Sequence, residues 1–198
     1  EPAPVTVQYG TDPLQTLALY RPQSLSPVPL ILFVHGGGWI SGSRAMGEQA
    51  QPAHFTARGY AWATIDYRLV PAVRVEDGAE DVARALAWIS RRAADYGIDP
   101  ARIILMGHSS GANLASLVAT DPQWLAVQGL TLGDVVPLAA TESETALDIA
   151  EHGANSSHLD LYLPGRLAEV MITILEQLVG APPGPPPDLP DAAILALE

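Results

Sequence analysis

The chain contains no cysteine in 198 residues, so disulfides, thiolate nucleophiles and thiolate metal sites are excluded together, although any redox compartment stays open. Basic residues are also scarce. Against 22 Asp and Glu stand 10 Lys and Arg, a net charge of −12, whereas a phosphate-binding surface needs clustered cations. No nucleic-acid partner is expected, and the acidity bears mainly on solubility. No apolar run reaches the roughly 18 residues of a membrane span. What the chain does hold is apolar material in short runs: 48% of residues are hydrophobic, enough to fill the core of one domain of this length. The start at Glu1-Pro2-Ala3-Pro4, without an initiator Met, is read as the stub of a trimmed export signal, with an artificial boundary as the alternative.

Alternating apolar and polar residues at 5–9 and 15–20, around Gly10-Thr11-Asp12-Pro13, predict an antiparallel hairpin at a sheet edge. Leu30-Ile31-Leu32-Phe33-Val34 reads as a buried strand. A helix is expected over 45–58, interrupted by Pro52 or split there into two pieces, then a strand over 60–67. Val82, Leu86, Ile89 and Ala93 recur at three or four residues, which predicts an amphipathic helix from Val75 through Tyr96, ended by Gly97. Residues 98–102 are read as a link to a further strand at 103–106, with a helix over 112–119 behind it. Strands alternating with helices imply an α/β class: a mostly parallel sheet with helices on both faces and ligands at the carboxyl ends of the strands. The domain is expected to span 1–180. Six prolines among the eleven residues Gly180 to Pro190 make 181–198 an extended arm.

Two glycine motifs fall where such a sheet binds ligands. Gly107-His108-Ser109-Ser110-Gly111 joins a strand to a helix, and a serine on so sharp a turn is held clear of its own backbone, within reach of a base and a substrate carbonyl. Alone the pattern is weak. Upstream, strand 30–34 runs directly into His35-Gly36-Gly37-Gly38-Trp39, where residues without Cβ let the backbone approach a ligand and turn its N–H groups towards a developing oxyanion. The two motifs in this order are far more specific than either one.

On these residues, from about Tyr9 to Leu130, the chain resembles the α/β-hydrolase family. The likeness is to its carboxylesterase and lipase branch with an HGGG loop, which includes hormone-sensitive-lipase-like and formamidase-like members. The resemblance implies a nucleophile at Ser109 and an oxyanion hole built from the backbone N–H groups of Gly37, Gly38 and Ser110, with no cofactor and no metal. It gives His35 a structural role in pinning the loop. Trp39 either lines the pocket or packs beneath the loop. Asp66-Tyr67-Arg68 resembles a family segment that organises this region.

The family order of Ser, then acid, then His leaves His152 and His158 as bases. His152-Gly153-Ala154-Asn155 resembles the acid-bearing segment with Asn near the acid position, and no histidine follows the turn at Pro164-Gly165. A block of strand and helix is missing or shortened between Leu138 and Leu159. His158 is taken as the base, oriented by Asp148, with Glu151 and Asp160 as other carboxylates. The expected activity is cleavage of small, uncharged carboxylic esters through an acyl-enzyme. Amide or formamide hydrolysis is the nearest alternative, and a non-catalytic binding or scaffold relative is the alternative from another class. A metal set of His152, His158 and Asp160 has no recognisable spacing. A sheet that lost a strand would expose an edge, so a homodimer is expected as a possible assembly.

Overall fold

The structure, a computed structural model, describes residues 3–134 and 136–137. Six strands lie in one sheet among these residues: β1 Val5–Gln8, β2 Thr16–Tyr20, β3 Val28–Val34, β4 Ala61–Ile65, β5 Ile98–Gly107 and β6 Val136–Pro137. Their spatial order is β1-β2-β4-β3-β5-β6. The hairpin β1/β2 is antiparallel, with Val5 opposite Leu19, and β2 joins β4 antiparallel. From there β4, β3, β5 and β6 run parallel. Every residue of β3 and β4 is buried, as largely apolar strands require when helices cover both faces, and the hydroxyl of the buried Thr64 donates to the Arg44 carbonyl at 2.9 Å.

The helices are α1 Gln51–Thr56, α2 Val75–Arg91, α3 Ser110–Thr120 and α4 Pro122–Val127. Period-two alternation assigns the faces. Leu30, Leu32 and Val34 of β3, with Ala63 and Ile65 of β4, pack against Val82, Leu86 and Ile89 of helix α2 and Leu114 and Val118 of helix α3. On the opposite face Phe33 stacks on Trp62 at 5.4 Å between ring centroids, and Trp62 stacks on Phe55 of helix α1 at 4.8 Å. The indole N–H of Trp62 donates to the Gly47 carbonyl at 2.7 Å, so the buried polar group is satisfied.

Three departures from expectation exceed a residue or two, each for a local reason. The segment 45–58 is split into a 3-10 turn, Arg44–Gly47, and α1, with Pro52 in the first helical turn, where a missing N–H has no acceptor to lose. Helix α2 stops at Arg91 and a separate 3-10 turn, Ala94–Tyr96, leads to Gly97. Strand β5 begins at Ile98, earlier than Ile103. Its pairing with β3 jumps from Val28–Ile98 to Leu30–Ile103, and the intervening Asp99 to Arg102 form a bulge in which the Asp99 carboxylate accepts from the Ala101 N–H at 3.0 Å and from Arg102 Nε at 2.7 Å. Pro100, which cannot donate to a ladder, sits in that bulge.

No helix among the described residues is long and apolar enough to cross a membrane. Asp148, Glu151, His152, His158, Asp160 and the arm 181–198 lie outside the described residues.

Candidate active site

Strands β3 and β5 are neighbours in the sheet, and their carboxyl ends carry the two glycine motifs side by side. At the end of β5 the backbone must reverse into α3 within one residue. Ser109 does so at φ 54°, ψ −123°, one of two non-glycine residues with positive φ among the described residues. Such a conformation costs roughly 1–3 kcal/mol and persists only where surrounding packing enforces it. The enforcement is steric: a methyl on Gly107 would sit 2.6 Å from the Ala112 nitrogen, and one on Gly111 would sit 2.7 Å from the Val34 carbonyl carbon. The turn is therefore wedged between its own helix and β3. Ser109 is half-buried, and Ser110 begins α3, where first-turn N–H groups have no acceptor within the helix.

The loop from β3 lies against this turn. A methyl on Gly36 would meet the Ser109 Cβ at 3.0 Å and His108 Nδ1 at 2.9 Å, so glycine is what lets the two segments touch. Gly37 has φ 124°, a region that side chains avoid, and its carbonyl accepts from the Ile40 N–H at 3.3 Å, the Ser41 N–H at 3.1 Å and the Ser41 hydroxyl at 2.9 Å. Gly38, at φ 62°, is exposed. Among the described residues nothing accepts from the N–H of Gly37 or of Gly38. The site thus packs a strained serine turn against a loop whose N–H groups have no acceptor among the described residues, an arrangement able to take a carbonyl oxygen as it gains charge.

Side chains from other elements hold the loop. The His35 ring is buried, stacks on Tyr67 at 4.4 Å, and places Nδ1 2.7 Å from the Gly36 carbonyl; burial lowers its pKa, so the ring is neutral and Nδ1–H donates. The Tyr67 hydroxyl donates to the His35 carbonyl at 3.0 Å, and burial raises the phenol's pKa against the opposing effect of the Ser110 hydroxyl. Further along, the Asp66 carboxylate accepts from the Arg44 N–H at 2.7 Å and from the Thr16 hydroxyl at 2.9 Å, with Arg44 Nε at 3.1 Å. Trp39 packs partly against the core, and its carbonyl accepts from the Val70 N–H at 2.9 Å.

Of the residues singled out from sequence, Ser109, Ser110, Gly37 and Gly38 therefore fall into one neighbourhood, while Asp148 and His158 are outside the described residues. Asp66 and Tyr67 brace the loop, as the resemblance implied for their segment. The buried carboxylate of Asp81, which pairs with Arg68, has no local signal: it stands in the middle of an ordinary amphipathic helix.

A mostly parallel sheet flanked by helices, with a strained serine turn and a glycine loop at adjacent strand ends, defines part of an α/β-hydrolase fold. Residues 17–132 match the BD-FAE family, and the chain belongs to that family. Esterase LipC of Mycobacterium tuberculosis is 38% identical over 125 residues, which is 61% of this chain and 31% of that protein. The probable isoprenylcysteine alpha-carbonyl methylesterase ICMEL1 of Arabidopsis thaliana is 38% identical over 117 residues, 59% of this chain and 24% of that protein. Among solved structures, apo esterase 2 of Thermogutta terrifontis superposes with a TM-score of 0.54 at 32% identity, covering 59% of this chain and 46% of that one. That esterase is also known with butyrate bound and phosphonylated by cyclosarin. The chain spans about a third or less of the length of these curated relatives and under half of that solved chain.

Proposed function

We propose that this chain carries the nucleophile and oxyanion side of a serine carboxylesterase acting on small, uncharged esters. Ser109 Oγ attacks the ester carbonyl, the alcohol leaves, and water releases the acid from the acyl-enzyme. The N–H groups of Gly37, Gly38 and Ser110 receive the oxyanion. The observation that carries this reading is the close approach of Gly36 to Ser109, which packs the strained serine turn against the glycine loop, whose Gly37 and Gly38 N–H groups have no acceptor among the described residues. A neutral His35 engaged with its own loop acts as a brace and not as the base. The base is assigned to His158 and its orienting carboxylate to Asp148.

The relatives' names support ester chemistry, and butyrate in the Thermogutta terrifontis enzyme supports a short acyl group. Two measurements test the reading. Wild type should hydrolyse a short p-nitrophenyl ester and Ser109→Ala should not; equal rates would remove Ser109 from the mechanism. A phosphonate probe should label Ser109 quickly in wild type and in His152→Ala but slowly in His158→Ala, because an unactivated serine reacts poorly. Equal labelling of all three would remove His158 as base. A wild type that neither labels nor turns over would leave a binding or scaffold protein on a hydrolase fold.

A further inference from the structure

Asp81 is a fully buried carboxylate on α2, and nothing in the proposed chemistry uses it. It accepts from Gln15 Nε2 at 2.6 Å, from the Arg68 backbone N–H at 3.0 Å, and from the Arg68 guanidinium through Nε at 2.8 Å and Nη2 at 2.7 Å. That set joins three elements, the hairpin, the end of β4 and α2, at one pair of oxygens. The backbone contact gives the set its direction. By fixing the N–H of Arg68, Asp81 fixes the peptide that follows Tyr67, and Tyr67 in turn stacks on the His35 ring and donates to the His35 carbonyl. That carbonyl belongs to the peptide leading into Gly36, which rests on Ser109.

We propose that Asp81 is a positioning residue for the proposed hydrolysis, holding the glycine loop over Ser109 through Arg68, Tyr67 and His35. The proposal rests on the esterase reading for its consequence in rate, but its structural half stands independently. A carboxylate suits the task because it accepts several N–H donors at once, and its guanidinium partner offers a rigid fork that meets both oxygens. An amide at the same place can face only part of that donor set. Removing the charge loosens the chain after β4, and the loop drifts relative to the serine by a distance too small to unfold anything but large enough to misalign an oxyanion donor.

The test combines a loop readout with a rate readout in the full chain. In Asp81→Asn, amide exchange at Ile40 and Ser41, whose N–H groups bond the Gly37 carbonyl, should accelerate about tenfold, while exchange at His108, bonded to the Val34 carbonyl, stays within about twofold. On a p-nitrophenyl ester, kcat should fall about tenfold with KM within about twofold, and phosphonate labelling of Ser109 should slow by the same factor. Tyr67→Phe should act in the same direction, and the double variant should be no slower than Asp81→Asn alone, because both interrupt one chain of contacts. Unchanged exchange at Ile40 and Ser41 in Tyr67→Phe overturns the proposal even if Asp81→Asn fails to fold, and so do additive losses in kcat. If exchange responds as expected while wild type neither labels nor hydrolyses the ester, the esterase reading fails and the hold of Asp81 on the loop is supported.

Discussion

The two glycine turns stand at the ends of adjacent parallel strands, yet they are built in opposite ways. The turn at 107–111 is fixed by main chain. Its glycines touch backbone of its own helix and of β3, so its shape follows from main-chain sterics over a handful of residues. The loop at 35–42 is fixed by side chains: a tyrosine hydroxyl from the end of β4, a carboxylate reaching Arg44 just beyond the loop, and the loop's own histidine ring. A side-chain-held loop can be tuned by single substitutions without losing the fold. The serine turn has no such latitude, and rigidity there with adjustability in the glycine loop would suit the proposed hydrolysis, in which the loop's N–H groups meet a charge that exists only briefly.

The largest expected effect tests the rigid member. Gly111→Ala drives a methyl into the Val34 carbonyl carbon, a contact of backbone with backbone that no rotamer can relieve, and the protein should lose at least about 3 kcal/mol of stability or fail to fold. Chemical denaturation reads this directly; a wild-type midpoint would mean that the turn has slack. Gly37→Ala comes next. It combines φ 124° with a methyl 2.6 Å from the Ser41 carbonyl carbon, so the loop must be rebuilt locally. The fold should survive at a loss of about 1–3 kcal/mol, while ester hydrolysis should fall about a hundredfold, as expected when an oxyanion donor moves away. Loss of fold without a selective loss of activity would erase the distinction between the two regions.

How much of this was legible in the chain follows the same division. The serine turn could be read because its pattern lies within a few residues, an apolar strand, glycines spaced about a serine, and a helix, although its wedge against Val34 is set by the topology. The apolar run at 30–34 and the alternation of strands with helices likewise announced a mostly parallel sheet covered on both faces, and Pro52 suggested that the segment 45–58 falls into two pieces. The braces of the loop were less visible, since Tyr67 meets His35 across 32 positions and Asp81 meets Gln15 across 66, with only the topology to bring them together. Sequence pattern also placed the start of β5 late, because the bulge at 99–102 interrupts the ladder without ending the strand. For Asp148 and His158, sequence order remains the basis of assignment.

Gly38 offers a smaller test, because a methyl there meets nothing within 4 Å among the described residues and its φ of 62° is what resists substitution. Gly38→Ala should cost about 1–2 kcal/mol from the left-handed backbone, and hydrolysis should fall less than in Gly37→Ala, since the N–H can keep its place. A loss of rate equal to that of Gly37→Ala would mean that the open space around Gly38 is filled by substrate, and the ratio of KM effects for short and longer acyl esters would show it.

The smallest effect is a dependence on pH that comes from holding a loop with a histidine. Burial lowers the pKa of His35 below its ordinary 6.5, with the hydrogen bond to the Gly36 carbonyl opposing the shift. Between the lowered folded value and 6.5 the unfolded chain takes up a proton that the native protein refuses. Stability therefore rises with pH across that window, is lost as pH falls through it, and receives no further change from this group above it. Replacing His35 by Asn removes the titration while keeping a short polar side chain. Urea midpoints at about pH 7.5 and about pH 5.5 should fall further in wild type than in His35→Asn, the difference between the two proteins isolating His35 from the other histidines. Equal falls would mean that the imidazole takes its proton in place, and the loop would then have to be held by Tyr67 and Asp66 without help from a neutral ring.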